Sequence, residues 1–143
     1  MFDEQVRRVM RRAKLVRAKP ETLVARAAAL MAAKNVGAIL VVEGERLVGI
    51  FTERDIVFRV VALGLDPRTT RIAEVMTRDP QTVAPGRPFG YALALMHRGG
   101  FRHLPVIEDG RPVGIVSARS AMDPDLLEFS SEVSRRRHFD GML

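Results

Sequence analysis

The chain has 143 residues, with 23 Lys and Arg against 17 Asp and Glu, and neither Cys nor Trp. That length fits one compact domain or two small fused halves, and the missing cysteine excludes a disulfide frame, a thiol nucleophile and a thiolate metal site. The net charge of +6 is carried mostly by Arg, whose planar fork grips phosphate or carboxylate; it favours an anionic partner, nucleic acid included, although a compositional bias toward Arg and Ala accounts for it equally well.

Residues 2–13 open the chain as an amphipathic helix. Phe2, Val6, Val9, Met10 and Ala13 fall on one face, and Arg7, Arg8, Arg11 and Arg12 on the other. "MFDEQVRRVMRR" lacks the apolar core of a signal peptide, and no apolar run approaches the roughly 20 residues of a membrane span. The expectation is a cytoplasmic protein without membrane association.

Residues 21–34 place Leu23, Ala27, Leu30 and Met31 at helical spacing. "AILVVE" (38–43) and "LVGIF" (47–51) read as two strands around a tight turn. A helix over 53–63 follows, with Ile56, Val57, Val60 and Val61 on one face and Gly64 as its C-terminal cap. A short extended piece at "TV" (82–83) precedes a second round. There "HLPVIE" and "PVGIV" flank Asp109-Gly110, a strong hairpin signal, and a helix over 118–128 comes next. The tail, "LLEFSSEVSRRRHFDGML", reads as a further helix ending in Arg135, Arg136, Arg137 and His138, cations that a helix C-terminus favours without any ligand.

The second round is a copy of the first. At an offset of 65, residues 20–54 fall on 85–119 without a gap, and pairs such as Met31/Met96, Val41/Val106, Gly49/Gly114 and Arg54/Arg119 are identical. "VM" at 9–10 recurs at 75–76, with one residue of slippage. One copy is too small to bury both faces of its sheet, so two should pack face to face about a pseudo-twofold axis. The expected units are 1–66 (the N-terminal helix and first copy), 67–128 (the second copy) and 129–143 (a basic tail).

The two copies differ at one chemically telling place. "VGIFTERD" carries Thr52 and Asp55, whereas "VGIVSARS" carries Ser117 and Ser120. Thr-x-x-Asp at a helix start is nearly a capping box, which by itself explains both residues. Three scattered His without Cys make a poor metal set, and His97 and His138 read as surface residues. No nucleophile–base pair, phosphate loop or metal motif stands out. The expectation is therefore no enzyme, no catalytic residue, no metal and no required cofactor.

The duplication, "RHLPVIEDGRPVGIVS" and "GIFTERD" together closely resemble the cystathionine-β-synthase (CBS) domain, over about residues 7–122. The resemblance implies an α/β (α+β) fold, with two tandem βαββα CBS repeats packed about a pseudo-twofold axis and helices flanking them at both ends. Two such repeats form a Bateman module, here read as a stand-alone pair. In that family the cleft between repeats takes adenosine-containing ligands: AMP, ADP, ATP or S-adenosylmethionine. By resemblance, Asp55 would take the ribose hydroxyls and Thr52 would contact phosphate or ribose, while Thr77, Thr82, Val83, Leu104 and Pro105 would supply the base pocket. Arg102 and His103 stand where related proteins hold phosphate, and with Ser117 they mark a phosphate or second site that lacks the ribose acid. The implied protein is a homodimer that regulates an unidentified partner protein. The alternative is a nucleic-acid-binding or scaffolding protein with a vestigial ligand site, and a weaker reading is a subunit of a separately encoded enzyme or transporter.

Overall fold

Each copy turns a run of branched apolar residues back on itself, and the rest of the fold is built around those two hairpins. The computed structural model describes residues 2–11 and 15–121. Along the chain come α1 (Val6–Val9), β1 (Arg17–Ala18), α2 (Val24–Lys34), β2 (Ala38–Glu43), β3 (Arg46–Thr52) and α3 (Glu53–Asp55), which runs straight into a π-helical stretch, Ile56–Val61. Then follow α4 (Ile72–Val75), β4 (Thr77–Arg78), α5 (Phe89–Gly99), β5 (His103–Glu108), β6 (Arg111–Ser117) and a 3-10 turn, Ala118–Ala121.

The repeat holds down to fine detail. β2 pairs antiparallel with β3 and β5 with β6, and each hairpin carries a register shift at the same place, Val41/Val42 and Val106/Ile107. Asp109 and Gly110 have φ of 52° and 79°, the two positive values that a type I′ turn requires. The first sheet has the order β1-β2-β3-β4. The second widens β5-β6 by single bridges, Val83 to Val106 and Arg11 to Ile115. These stand where Ala18 meets Val41 and Thr77 meets Ile50 in the first sheet.

Those outer pairings cross between copies. Thr77 leads into the second copy but pairs with the first, and Arg11 leads into the first but pairs with the second. The short helices follow suit. Ile72, Val75 and Met76 join the first core, around Met31, Ile39 and Phe51. Val6 and Met10 join the second, around Phe89, Leu104 and Val116. A third cluster, Ala38, Leu40 and Ile50 with Leu15, Leu47 and Ile115 packed against it, joins the halves. Between the hairpins, Arg111 Nη2 lies 2.9 Å from Glu45 Oε2, and Arg17 Nη2 donates to the Pro112 carbonyl at 3.1 Å.

Two expected helices differ. The one expected over 2–13 is only Val6–Val9, because Met10 is extended (φ −67°, ψ 150°) so that Arg11 can exchange backbone hydrogen bonds with Ile115; Phe2 is exposed rather than buried. The one expected over 53–63 becomes π-helical after Asp55. With Ala62 N–H donating to Val57 O, five residues back, side chains no longer repeat with a 3.6-residue period. Val60 is fully buried, Ile56 half-buried, and Val57 and Val61 face outward. Gly64 does close this helix, with φ 70°. Among the described residues no helix is long and apolar enough to cross a membrane. Arg12 and Ala13, most of the helix expected over 118–128, and the whole basic tail with Arg135–His138 lie outside the described residues.

Candidate functional site

The junction where β3 hands over to α3 is built by its own side chains. Asp55 Oδ2 accepts from Thr52 N–H at 2.8 Å and from Thr52 Oγ1 at 3.2 Å, and Asp55 N–H donates to Thr52 Oγ1 at 3.4 Å. This is a complete capping box, which satisfies two backbone donors that a helix start leaves unpaired. It also fixes the carboxylate. Asp55 is 7% exposed, and its second oxygen, Oδ1, stands 3.6 Å from Arg59 Nε.

Thr52 and Asp55 line a cleft of about 860 Å³ between the copies. The first copy gives it Ile50, Glu53, Arg54 and Phe58 as well. The connection between copies adds Thr77, Asp79 and Pro80, and the second copy adds Phe101, Arg102 and His103. Arg54 lies over the Phe58 ring, 4.9 Å from its centroid. The walls thus offer one fixed carboxylate, other acids, guanidinium groups and aromatic rings in one space.

The second copy enters this cleft through the beginning of its hairpin. A β-carbon on Gly37 would stand 3.0 Å from Glu53 Oε1 and 3.2 Å from His103 Nε2. The bare glycine therefore leaves room for the first copy's acid and the second copy's histidine to meet. Burial pushes the His103 imidazole below its ordinary value of 6.5; Glu53 opposes that shift and Arg102 reinforces it.

Of the residues singled out from sequence, Thr52, Asp55, Thr77, Arg102 and His103 come together here. Arg102 and His103 therefore line the same cleft as Asp55. Thr82, Val83, Leu104, Pro105 and Ser117 do not line it. Leu104 is wholly buried and Val83 nearly so, both in the second core. Val83 is bonded through its backbone to Pro105 and Ile107. Pro105 is buried in β5, and Thr82 is exposed beside the Val83 bridge. Ser117 faces His103 across the hairpin register. Leu104, Pro105 and Val106 are buried, so of β5 only His103 reaches the cleft.

Sequence reading did not single out Glu53, Asp79 or Arg59. Arg59 had one visible signal, its i,i+4 spacing from Asp55. Its Nη1 also donates to the carbonyls of Val75 (3.1 Å) and Met76 (3.2 Å).

Comparison with known proteins adds a family. The model of the CBS domain matches residues 6–62 and 72–123. The structure of an uncharacterized conserved protein from Pyrococcus horikoshii superposes with a TM-score of 0.79 at 31% identity, over 91% of this chain and 94% of that one. The CBS domain pair of protein MJ0100, in complex with 5′-methylthioadenosine and S-adenosyl-L-methionine, gives 0.75 at 24% identity, over 82% and 96%; at that identity the likeness carries the fold. Among curated proteins, the Meiotically up-regulated gene 70 protein of Schizosaccharomyces pombe is 45% identical over 95 residues. That match takes in 66% of this chain but only 13% of the relative's length.

Proposed function

The chain belongs to the CBS-domain family, and from that premise we propose that it is a regulatory module whose cleft takes an adenosine-containing ligand, an adenine nucleotide or S-adenosylmethionine. One observation carries this reading: a fixed carboxylate, Asp55, shares an 860 Å³ cleft with Arg102 and His103 of the other copy. A carboxylate oxygen accepts hydrogen bonds from a vicinal diol, as in other ribose sites, and a guanidinium grips phosphate. The volume is that of a small-molecule pocket. Thr77, at the connection between copies, would contact the nucleoside.

The module would act by binding, without chemistry of its own, and pass its state to a partner protein. Its own second copy is the first partner we propose. Val57, Phe58 and Val61 expose 55%, 59% and 68% of their surface on one helix, and Leu63 continues the strip. Such a strip is a contact surface, and a C2 homodimer would cover it isologously.

Calorimetry against AMP, ADP, ATP, S-adenosylmethionine and NAD tests the reading. At least one should bind the wild type and lose most of its affinity to Asp55→Ala. Failure of the whole panel to bind would overturn it.

A further inference from the structure

Arg59 touches three things at once. Its Nε faces Asp55 Oδ1 at 3.6 Å, while its Nη1 donates to the carbonyls of both Val75 and Met76. Those two carbonyls end α4, in the segment that crosses from one copy to the other. Beyond them the chain goes directly into β4; its Thr77 and, just past the strand, Asp79 line the same cleft. The carbonyls at a helix end have no partner inside the helix, so Arg59 is the side chain that supplies one.

Asp55 is correspondingly divided. Oδ2 receives two hydrogen bonds from Thr52, which fills the two lone-pair directions of one carboxylate oxygen. Oδ1 is left for the cleft, and Arg59 is the cation beside it. Any diol taken by Asp55 must use Oδ1 and therefore compete with or lean on Arg59. The duplication supplies an independent observation. The 65-residue offset that takes Asp55 to Ser120 takes Arg59 to Pro124. The acid and the arginine are missing from the second copy together, as expected if they work as a unit.

We propose that Arg59 is a positioning residue that couples the state of Asp55 in the cleft to the crossover segment 72–79. A change at Oδ1 shifts the guanidinium, and the guanidinium holds or releases the end of α4. The proposal rests on the ligand reading above for its biological purpose, but the coupling itself exists without ligand.

Hydrogen exchange tests it at two amides of the segment, Met76 N–H, bonded to Ile72 O, and Asp79 N–H, bonded to Val48 O. The first arm uses ligand-free wild type, Asp55→Asn, Arg59→Met and the double variant. Asp55→Asn should speed exchange at Met76 by roughly three- to tenfold, the scale of one or two hydrogen bonds that compete with water. Arg59→Met should do at least as much, and the double variant no more than Arg59→Met alone. Arg59→Lys keeps the charge without the fork, and it should also uncouple the two sites. Purely additive effects, or an Asp55→Asn effect that persists in the Arg59→Met and Arg59→Lys backgrounds, would overturn the coupling. A merely structural arginine would give that additive result.

The second arm adds ATP and S-adenosylmethionine. A ligand that binds the wild type should change exchange at Met76 and Asp79 there, and not in Arg59→Met. An unchanged response in Arg59→Met overturns the proposal. If neither compound binds the wild type, the other members of the calorimetry panel decide the ligand reading, while the ligand-free cycle still decides the role of Arg59.

Discussion

The sulfur of Met76 occupies the space that a β-carbon on Gly49 would need. Met10 stands in the same relation to Gly114, where that β-carbon would meet Met10 Sδ at 2.7 Å and Cγ at 3.0 Å. The repeated glycine and the repeated Val-Met are thus two sides of one contact, made twice and each time between copies.

Replacing Gly49 with Ala forces Met76 aside and also brings the new β-carbon to 3.0 Å from the Thr77 carbonyl. We expect a loss of about 1–3 kcal/mol, the usual cost of overfilling a packed site. Met76→Ala opens the first core and is costly on its own, but it should cost less in the Gly49→Ala background than in the wild type, because there the crowded side chain is already displaced. Urea denaturation of the two single variants and the double variant measures this, and simple additivity would contradict the contact.

Asp55→Ala should act twice. Removing the capping box should lower stability by about 1 kcal/mol, read from urea midpoints. Removing the acceptor should weaken any ribonucleotide by roughly 1.5–3 kcal/mol, the scale of a hydrogen bond to a charged group. A 2′-deoxy analogue should already bind the wild type poorly. Equal titration curves for wild type and Asp55→Ala would remove Asp55 from the site.

His103 should make stability depend on pH. Its folded pKa lies below 6.5, chiefly through burial. Below 6.5 the unfolded chain therefore binds more protons than the folded one, and stability falls with pH. The contribution is complete above 6.5 and is lost as pH drops through the folded value. His103→Gln should flatten this part of the profile in urea titrations from pH 7.5 to 5. A phosphate beside His103 favours the protonated ring, so phosphate affinity should rise over the same acidic window. The reference value alone would put that rise between pH 8 and 6.

Arg102→Ala should matter more as phosphates are added, with little effect on adenosine and the largest on ATP. Since Asp55, Arg102 and His103 line one cleft, calorimetry should give one nucleoside ligand per chain. Two equivalent sites, both indifferent to Arg102→Ala, would contradict this arrangement.

The exposed strip at Val57, Phe58 and Val61 should vanish into a dimer. Val61→Asp should leave monomer stability within about 0.5 kcal/mol, as surface changes do, yet convert a sedimenting dimer to monomer at micromolar concentration. A wild type that already sediments as monomer would end the dimer reading.

Much of this fold was legible because its signals are local. Branched runs around Asp109-Gly110 specify a hairpin without help from elsewhere, and the duplication then doubles every local inference. Thr52 and Asp55 were visible because a capping box is written in four residues. What was hidden depends on distant partners. Nothing in "VM" says which copy will receive Met10, so periodicity carried the first helix past the point where Arg11 leaves it to pair with Ile115. The same periodicity put Val57 and Val61 on one face with Ile56 and Val60, since a change from α to π bonding leaves no mark on the pattern. The place of Arg102 and His103 beside Asp55 follows from how the copies face each other, which neither copy's sequence states alone.

The crossed lead segments also bear on how such a chain could have arisen. A solitary copy, with its own Val-Met arm in front, would find its glycine uncovered and its arm without a seat. Two separate copies could trade arms and so complete one another before any link joined them. Fusion would then have made an existing exchange intramolecular, at a much higher effective concentration. Cutting the present chain between 65 and 70 should reverse that step: neither fragment should fold alone, and the two should regain structure when mixed.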